Sequence, residues 1–240
     1  MNQQANFSIK SDMVEQGTAE WFKLRLGNFT GSRIGDLMSG GKKGDMFGKT
    51  ALAYIYEVAS ERDLIKSYLD DPYLFEIYMN QVSVSNKHIE WGRENEEFAA
   101  EQYAKITGAD LELCSSIPHP TIPFFSASPD RIATDGFEKR IVEIKSPLPK
   151  TFMLYRAEVY DNNSLRIANQ NYFYQVQAEM ACTGLEKADF VAFCPFLNHP
   201  LHIVTIHRDD AVISEFEKRI NEANKLIDSI LGKIKSNTTL

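Results

Sequence analysis

The stretch from Arg140 to Lys145 constrains the fold most, because it alternates as a β-strand does and carries its charges on one face. Glu143 and Lys145 point to one side of this strand. The apolar Val142 and Ile144 point to the other side. The two charged side chains are then about 7 Å apart along the strand. The pattern therefore predicts a strand with a carboxylate and an amine near its end.

A second short strand precedes this one and returns antiparallel to it. Ser128-Pro129-Asp130 is followed by residues 131–134 and an Asp135-Gly136 turn. Asp130 can then lie across from Glu143. Two carboxylates beside a lysine suit a hard cation such as Mg²⁺ and the water that it activates, an arrangement typical of metal-dependent phosphodiesterases. A surface hairpin with an ion pair across it is the alternative.

The helix before the hairpin carries a further carboxylate. Residues 86–107 have a helical pattern, with an Asn or Ser cap at the start and Gly108 at the end. Glu96 lies among the apolar positions Ile89, Ala99, Ala100 and Tyr103. A carboxylate on such a face is costly unless it is paired or bound to a metal. We expect Glu96 to be a third acidic group of the same site, with a buried ion pair to an arginine as the alternative.

Several short motifs occur in the same order as in a known family. They are Val14-Glu15-Gln16-Gly17, Trp21, Leu24-Arg25-Leu26-Gly27, Thr30-Gly31-Ser32, Trp91-Gly92-Arg93 with Glu96, Ser128-Pro129-Asp130, Glu143-Ile144-Lys145 and Tyr172-Phe173-Tyr174-Gln175-Val176-Gln177. In these motifs the chain resembles the phage lambda exonuclease family of YqaJ-like viral recombinases, and the match spans roughly residues 14–208. That family belongs to the PD-(D/E)xK nuclease superfamily.

The resemblance implies a metal site. Asp130, Glu143 and the Ile144 backbone carbonyl would bind Mg²⁺, for which Mn²⁺ can substitute. Glu96 would contact the metal directly or through water. Lys145 would be the catalytic lysine.

The resemblance also implies a glutamine that reaches the site. Gln175 would do so from a helix, with Tyr172, which would contact the DNA, one turn earlier. Gln177 lies roughly 200° further round the helix and faces elsewhere. Taken alone, Gln175 is equally compatible with a solvated amide. The chain departs from the family at Arg131, where the family has glycine, but this change removes no ligand.

Residues that match the family's 5′-phosphate pocket are Arg25, Ser32 and Ser128. Taken alone, they would be a surface charge and turn hydroxyls. Residues 20–50 contain six basic residues against three acidic ones, a local balance of +3. We therefore expect the DNA backbone to lie here, with contacts from Lys42 and Lys43. A loosely ordered lysine loop is the alternative for those two.

The order of predicted elements favours an α/β protein with a central mixed sheet flanked by helices, a PD-(D/E)xK restriction-endonuclease-like core. We expect one nuclease domain over residues 1–240, with a helical part at about 14–107, a catalytic sheet core at about 108–208 and a C-terminal helix at about 209–235. Helices are predicted near 18–26, 31–39, 49–65, 72–82 and 87–107, strands near 110–116, 122–127, 129–134 and 139–145, then a helix ending at Gly184 and strands at 188–194 and 201–208.

The composition of the chain limits the classes of protein to which it can belong. The net charge of −7 argues against broad coating of DNA, since nonspecific affinity comes mainly from lysine and arginine. The three cysteines have no CxxC spacing and are expected to be reduced. The start lacks a signal-peptide pattern, and no apolar run approaches the roughly 20 residues of a membrane span. We expect a cytoplasmic protein, in the bacterial host if the chain is phage-encoded, without membrane contact.

The resemblance implies a Mg²⁺-dependent exonuclease that degrades double-stranded DNA from 5′-phosphorylated ends in the 5′ to 3′ direction. It would leave 3′ single strands for recombination, form a ring-shaped homotrimer and work with a single-strand annealing protein. A related restriction-type endonuclease is one alternative. A DNA-end-binding module without catalysis is another, and the complete set of Asp130, Glu143 and Lys145 argues against it.

Overall fold

The computed structural model describes residues 14–82 and 87–237, which form two sheets and their flanking helices. The strands are β1 (Phe29–Thr30), β2 (Asp110–Leu113), β3 (Ile117–Pro118), β4 (Phe125–Ala127), β5 (Arg131–Asp135), β6 (Glu138–Lys145), β7 (Lys187–Phe193) and β8 (Leu201–His207). The helices are α1 (Ala19–Arg25), α2 (Ile34–Leu37), α3 (Lys49–Arg62), α4 (Lys66–Asp70), α5 (Pro72–Val82), α6 (Lys87–Thr107), α7 (Pro149–Glu158), α8 (Asn162–Ala168), α9 (Gln170–Thr183) and α10 (Asp210–Asn237).

The larger sheet has five strands in the order β2-β5-β6-β7-β8. Strands β6 and β7 are parallel, and the other neighbours are antiparallel. A parallel pair needs a long crossover connection, which here contains α7, α8 and α9. The predicted mixed sheet flanked by helices is therefore confirmed.

The predicted hairpin is formed by β5 and β6. Arg131 pairs with Val142, and Asp135 pairs with Glu138. Gly136 has a φ of 60°, a left-handed conformation that suits glycine in a tight turn. One further step along the register sets Asp130 opposite Glu143.

Both faces of β6 are buried. Val142 and Ile144 pack with Ala99 and Tyr103 of α6. Ile141 belongs to the larger core on the other face, which also contains buried residues of α9 and α10. Apolar burial on both faces holds β6 firmly, at about 25 cal/mol per Å² of apolar surface. The charged residues at its end therefore rest on a rigid support.

The buried carboxylate of Asp189 in β7 accepts a hydrogen bond on each of its two oxygens. Asp189 is 1% exposed and accepts hydrogen bonds from the Tyr103 hydroxyl at 2.6 Å and the Thr205 hydroxyl at 2.7 Å. A guanidinium nitrogen of Arg140 lies 3.6 Å from it. Satisfied in this way, Asp189 joins α6 to the sheet.

The smaller sheet, in the order β1-β4-β3, brings two distant segments together. Strands β1 and β4 are parallel, and Thr30 pairs with Ser126. Ser32 and Ser128 each follow two residues later and so emerge at the same end. A Cβ on Gly31 would lie 3.0 Å from the Cβ of Ala127, so a glycine here permits the close approach.

Some boundaries differ from the predicted ones. The helix expected over 31–39 is a 3₁₀ turn at Gly31–Arg33 followed by the short α2. Helices α4, α7 and α8 were not predicted, because short helices depend on caps and packing more than on periodicity. Helix α8, for example, starts with a capping box of Asp161 and Ser164. The predicted cap near residue 86 lies outside the described residues. None of the helices within 14–82 and 87–237 is long and apolar enough to cross a membrane.

Candidate active site

A cleft of about 550 Å³ lies at the end of β6, between α6, α7 and α9. Its walls include the predicted site residues Glu96, Asp130, Ile144, Lys145 and Tyr172. These residues come from four separate stretches of chain. The fold therefore brings together side chains that the sequence holds up to 76 positions apart.

Asp130 is fixed to the end of β6 by the hairpin register. One of its oxygens, Oδ2, accepts a hydrogen bond from the Ile144 backbone N–H at 2.7 Å. The other carboxylate oxygen is not used by this bond. Asp130 and the Ile144 main chain are thus held beside each other at the cleft.

Glu143 is buried, with 1% of its surface exposed. Its Oε1 accepts hydrogen bonds from Lys145 Nζ at 2.5 Å and from Gln175 Nε2 at 2.5 Å. Its Oε2 is buried and has no hydrogen-bond partner among the described residues. The ammonium group of Lys145 also lies 4.9 Å from the centre of the Tyr172 ring, a favourable cation–π contact. Gln175 and Tyr172 thus reach the site from α9.

Glu96 forms an ion pair with an arginine, the alternative to metal contact that its position left open. Arg131 Nη1 lies 2.8 Å from Glu96 Oε1, and Arg131 Nη2 lies 2.7 Å from Glu97 Oε2. Arg131 also donates to the backbone carbonyl of Asp130 at 2.7 Å. Glu96 is 31% exposed at the cleft wall. Arg131 therefore ties α6 to the start of β5 next to the carboxylates.

The carboxylates at the cleft repel one another. Burial raises the pKa of Asp130 well above its usual range, and the nearby Glu143 and Glu96 raise it further. Burial alone would lower the pKa of Lys145, but the attraction of Glu143 and Asp130 outweighs it, so that pKa is raised. Lys145 is therefore an ammonium ion at neutral pH. Its single charge faces several carboxylates, an arrangement that favours a further cation.

The donor atoms fit a hard divalent cation. Asp130 and Glu143 supply carboxylate oxygens, and the buried Glu143 Oε2 lacks a hydrogen bond among the described residues. Within those same residues, no group of three or more His, Cys, Asp and Glu side chains is placed to hold a metal ion. A set of two carboxylates completed by the Ile144 carbonyl and water needs no such group. The family's ligand set is therefore compatible with the geometry.

The three residues of the expected phosphate pocket are in contact. Arg25 donates to Ser128 Oγ at 3.0 Å and to Ser32 Oγ at 3.2 Å. Its guanidinium lies 4.2 Å from the centre of the Trp21 ring. Burial lowers the pKa of Arg25, but the group remains charged at any pH near neutrality. Hydroxyls and a charged guanidinium facing one another form a suitable pocket for a phosphate.

Not all basic residues of the N-terminal segment are available to DNA. Arg33 forms ion pairs with Asp36 and Glu57. Lys42 is exposed in a 3₁₀ turn, Lys42–Gly44, and the side chain of Lys43 lies outside the described part of the structure. A DNA contact by these two lysines stays a prediction.

Sequence reasoning missed Glu179, and it did not identify Arg131 as the arginine that pairs with Glu96. Glu179 is 1% exposed and lies one helical turn after Gln175, whose amide donates to it at 3.1 Å. The i, i+4 spacing was a signal for this contact. Gln177 faces away as predicted, since its amide donates to the His207 backbone carbonyl.

A protein-family model and several solved structures are similar to this chain. Residues 20–186 match the model of the YqaJ-like viral recombinase domain. The chain is similar to the alkaline exonuclease LHK-Exo from Laribacter hongkongensis, at 27% identity and a TM-score of 0.71 over 92% of this chain and 98% of that one. The structure of LHK-Exo in complex with dAMP gives 28% identity and a TM-score of 0.72 over the same shares.

A further structure shares the fold. A phage-related exonuclease from Haemophilus somnus 129PT is 16% identical, with a TM-score of 0.64 over 86% of this chain and 96% of that one. A comparison with curated protein sequences gave no match.

The repulsion at the cleft predicts a gain in stability when one carboxylate is removed. We expect Asp130→Asn to stabilise the protein in EDTA at neutral pH, because the asparagine has no charge for Glu143 and Glu96 to repel. The asparagine oxygen can still accept the Ile144 N–H. A carboxyl whose pKa is raised by folding favours the folded state only while it is protonated. The difference in free energy of unfolding between the variant and the wild type should therefore grow as the pH rises and vanish near pH 4. Urea unfolding at several pH values measures this difference.

Asp189→Asn is the matched control, because it changes a buried carboxylate that already has its donors. It should destabilise the protein in EDTA, since an amide has one acceptor oxygen for Tyr103 and Thr205. Mg²⁺ should stabilise the wild type more than Asp130→Asn. An Asp130→Asn protein less stable than the wild type in EDTA at pH 7 would contradict this account of the cleft.

Proposed function

The chain belongs to the YqaJ-like viral recombinase family and is a nuclease, and from this premise we propose its substrate and polarity. It is a Mg²⁺-dependent exonuclease that enters double-stranded DNA at a 5′-phosphorylated end. It removes nucleotides in the 5′ to 3′ direction and leaves a 3′ single strand for recombination. The whole chain serves as one nuclease domain.

One segment, Ser128-Pro129-Asp130, supports this proposal most. Ser128 accepts a hydrogen bond from Arg25 in the phosphate pocket. Two residues later, Asp130 accepts the N–H of Ile144 in the cleft. A strand whose terminal phosphate binds Arg25 would thus have its next phosphodiester beside Asp130. Such a spacing suits the release of single nucleotides from a 5′ end.

The proposed cation ligands are Asp130, Glu143 and the Ile144 carbonyl, with Glu96 in contact with the cation directly or through water. When bound, the cation would lower the pKa of a water molecule and stabilise charge on the phosphate. Mn²⁺ would substitute for Mg²⁺. The protein's own part is to hold Glu143 and Ile144 on a strand that is buried on both faces, with Asp130 hydrogen-bonded to that strand, so that these oxygens need not rearrange.

Lys145 offsets negative charge that develops on the reacting phosphate. Its ammonium group is held by Glu143 Oε1 and by the face of Tyr172, so its position is fixed before DNA arrives. Gln175 holds the other side of Glu143. Fixed charges of this kind stabilise a transition state without the cost of reorganisation.

The family also supports an assembly and a partner. We propose a ring-shaped homotrimer that encloses the DNA and hands its 3′ strand to a single-strand annealing protein. Light scattering should give a mass close to three times the chain mass of 27.3 kDa. A protein that is monomeric at micromolar concentration and still degrades long DNA without dissociating would refute the ring.

Loss of a cleft residue should slow cleavage without loss of DNA-end binding. We expect Lys145→Ala, Asp130→Ala and Glu143→Ala each to reduce the rate by roughly 10² to 10³, the usual cost of one electrostatic stabiliser. The substrate is end-labelled linear duplex with Mg²⁺. Lys187→Ala is the matched control, since Lys187 lies at the opposite end of the neighbouring strand and pairs with Glu138.

Near wild-type rates in any of the three cleft variants would contradict the site. Covalently closed circular duplex tests the reaction type in the same assay. The circle should persist, because it offers no end. Its cleavage by the wild type would favour a restriction-type endonuclease instead.

Polarity should depend on Arg25. We expect removal of the DNA 5′-phosphate to slow initiation strongly, and Arg25→Ala to be slow on both kinds of end and to lose the distinction. Arg25→Lys should recover only part of the rate, because a point charge cannot replace a bidentate fork. The measurement is the initial rate on matched 5′-phosphoryl and 5′-hydroxyl duplexes.

Arg33→Ala is the control for charge, because Arg33 is already paired with Asp36 and Glu57. It should keep the wild-type preference for the phosphorylated end. If Arg25→Ala also keeps that preference, the phosphate pocket lies elsewhere on the chain.

A further inference from the structure

Glu179 is a buried carboxylate beside the cleft that the proposed chemistry does not use. It is 1% exposed, on the face of α9 that looks toward Glu143. Within the described residues no donor reaches its Oε2, its Oε1 accepts from the amide of Gln175 at 3.1 Å, and its carboxyl also lies within hydrogen-bonding reach of the Glu143 carboxylate. Burial of such a group costs several kcal/mol when no cation pairs with it. Because burial of the Glu179 carboxylate opposes folding, we expect this side chain to serve a function.

The amide of Gln175 is held by two carboxylates at once. Its Nε2 donates to Glu143 Oε1 at 2.5 Å and to Glu179 Oε1 at 3.1 Å. An amide nitrogen has two hydrogens, so these two bonds use both of them. Rotation of the amide by 180° would turn its oxygen toward two carboxylates. Glu179 thus fixes Gln175 in a single orientation.

That orientation determines how Glu143 is presented. Gln175 and Lys145 both donate to Glu143 Oε1, which leaves Oε2 as the oxygen without a hydrogen bond. We infer that Glu179 is a positioning residue, which holds the Gln175 amide and through it aims Oε2 of Glu143 at the cation. This inference rests on the proposed function, in which Glu143 binds Mg²⁺. Groups that hold a metal ligand commonly contribute 10- to 100-fold to metal affinity.

The length of the side chain at position 179 and its negative charge can be tested separately. Glu179→Gln keeps the length and an acceptor oxygen but removes the charge. Glu179→Asp keeps the charge but is one methylene too short to hold the Gln175 amide at the same place. A positioning role needs the reach, whereas simple attraction of the cation needs the charge. The two variants therefore separate the two roles.

The experiment measures Mg²⁺ affinity by calorimetry on the DNA-free, full-length protein, so it does not depend on nuclease activity. We expect Glu179→Asp to weaken binding by about 10- to 100-fold and Glu179→Gln by about threefold or less. Asp189→Asn, a change at another buried carboxylate, should bind Mg²⁺ like the wild type. The reverse order, or equal effects of the two variants at position 179, would overturn the positioning role.

A double-mutant cycle tests whether Glu179 acts through Gln175. Gln175→Met should weaken Mg²⁺ binding as Glu179→Asp does, and the double variant should lose nothing more. Additive losses would overturn the inference. If Glu179→Asp does not fold, Gln175→Met must still weaken binding while Glu179→Gln does not. A wild type that binds no Mg²⁺ would instead refute the proposed function, and the inference with it.

Discussion

In the described part of the structure, buried and half-buried carboxylates that face the ammonium group of Lys145 are the central constraint on the fold. Asp130, Glu143 and Glu179 lie close enough for burial and mutual repulsion to raise the pKa of Asp130 and of Glu179. Lys145 offsets only part of that charge. Such a cluster opposes folding, so the surrounding structure must hold it in place. The apolar cores on both faces of β6, together with the β5–β6 hairpin, hold the carboxylates in place.

The same constraint links stability to function. A cluster that costs stability without a cation becomes favourable when a cation binds, and this is a common compromise at catalytic sites. The proposed phosphate pocket of Arg25, Ser32 and Ser128 is built from different groups. Arg25 meets hydroxyls and an aromatic ring, and its charge remains available for an anion. The parallel pairing of β1 with β4 joins the two regions, since it delivers Ser32 and Ser128 to one point just before Asp130.

Much of this arrangement follows from the sequence. Alternation in β6 and the Asp135-Gly136 turn predict the hairpin, because strand period and turn chemistry are local properties. The contact of Arg25 with Ser32 and Ser128 followed only from the family motifs, since it depends on a two-residue strand. For Glu96 the sequence left two outcomes open, a contact with the metal or an ion pair with an arginine, and it did not identify that arginine as Arg131. Glu179 was missed because one buried carboxylate in a helix resembles a solvated one until the packing is known.

The claim that the cleft is a cation site is tested most directly by diffraction from crystals soaked in Mn²⁺, recorded where manganese scatters anomalously. The account predicts an anomalous peak between the carboxylates of Asp130 and Glu143, next to the main chain of Ile144. It also predicts that the peak is lost in Asp130→Ala crystals. An ordered cleft without a peak, or a peak only at other residues, would contradict the account.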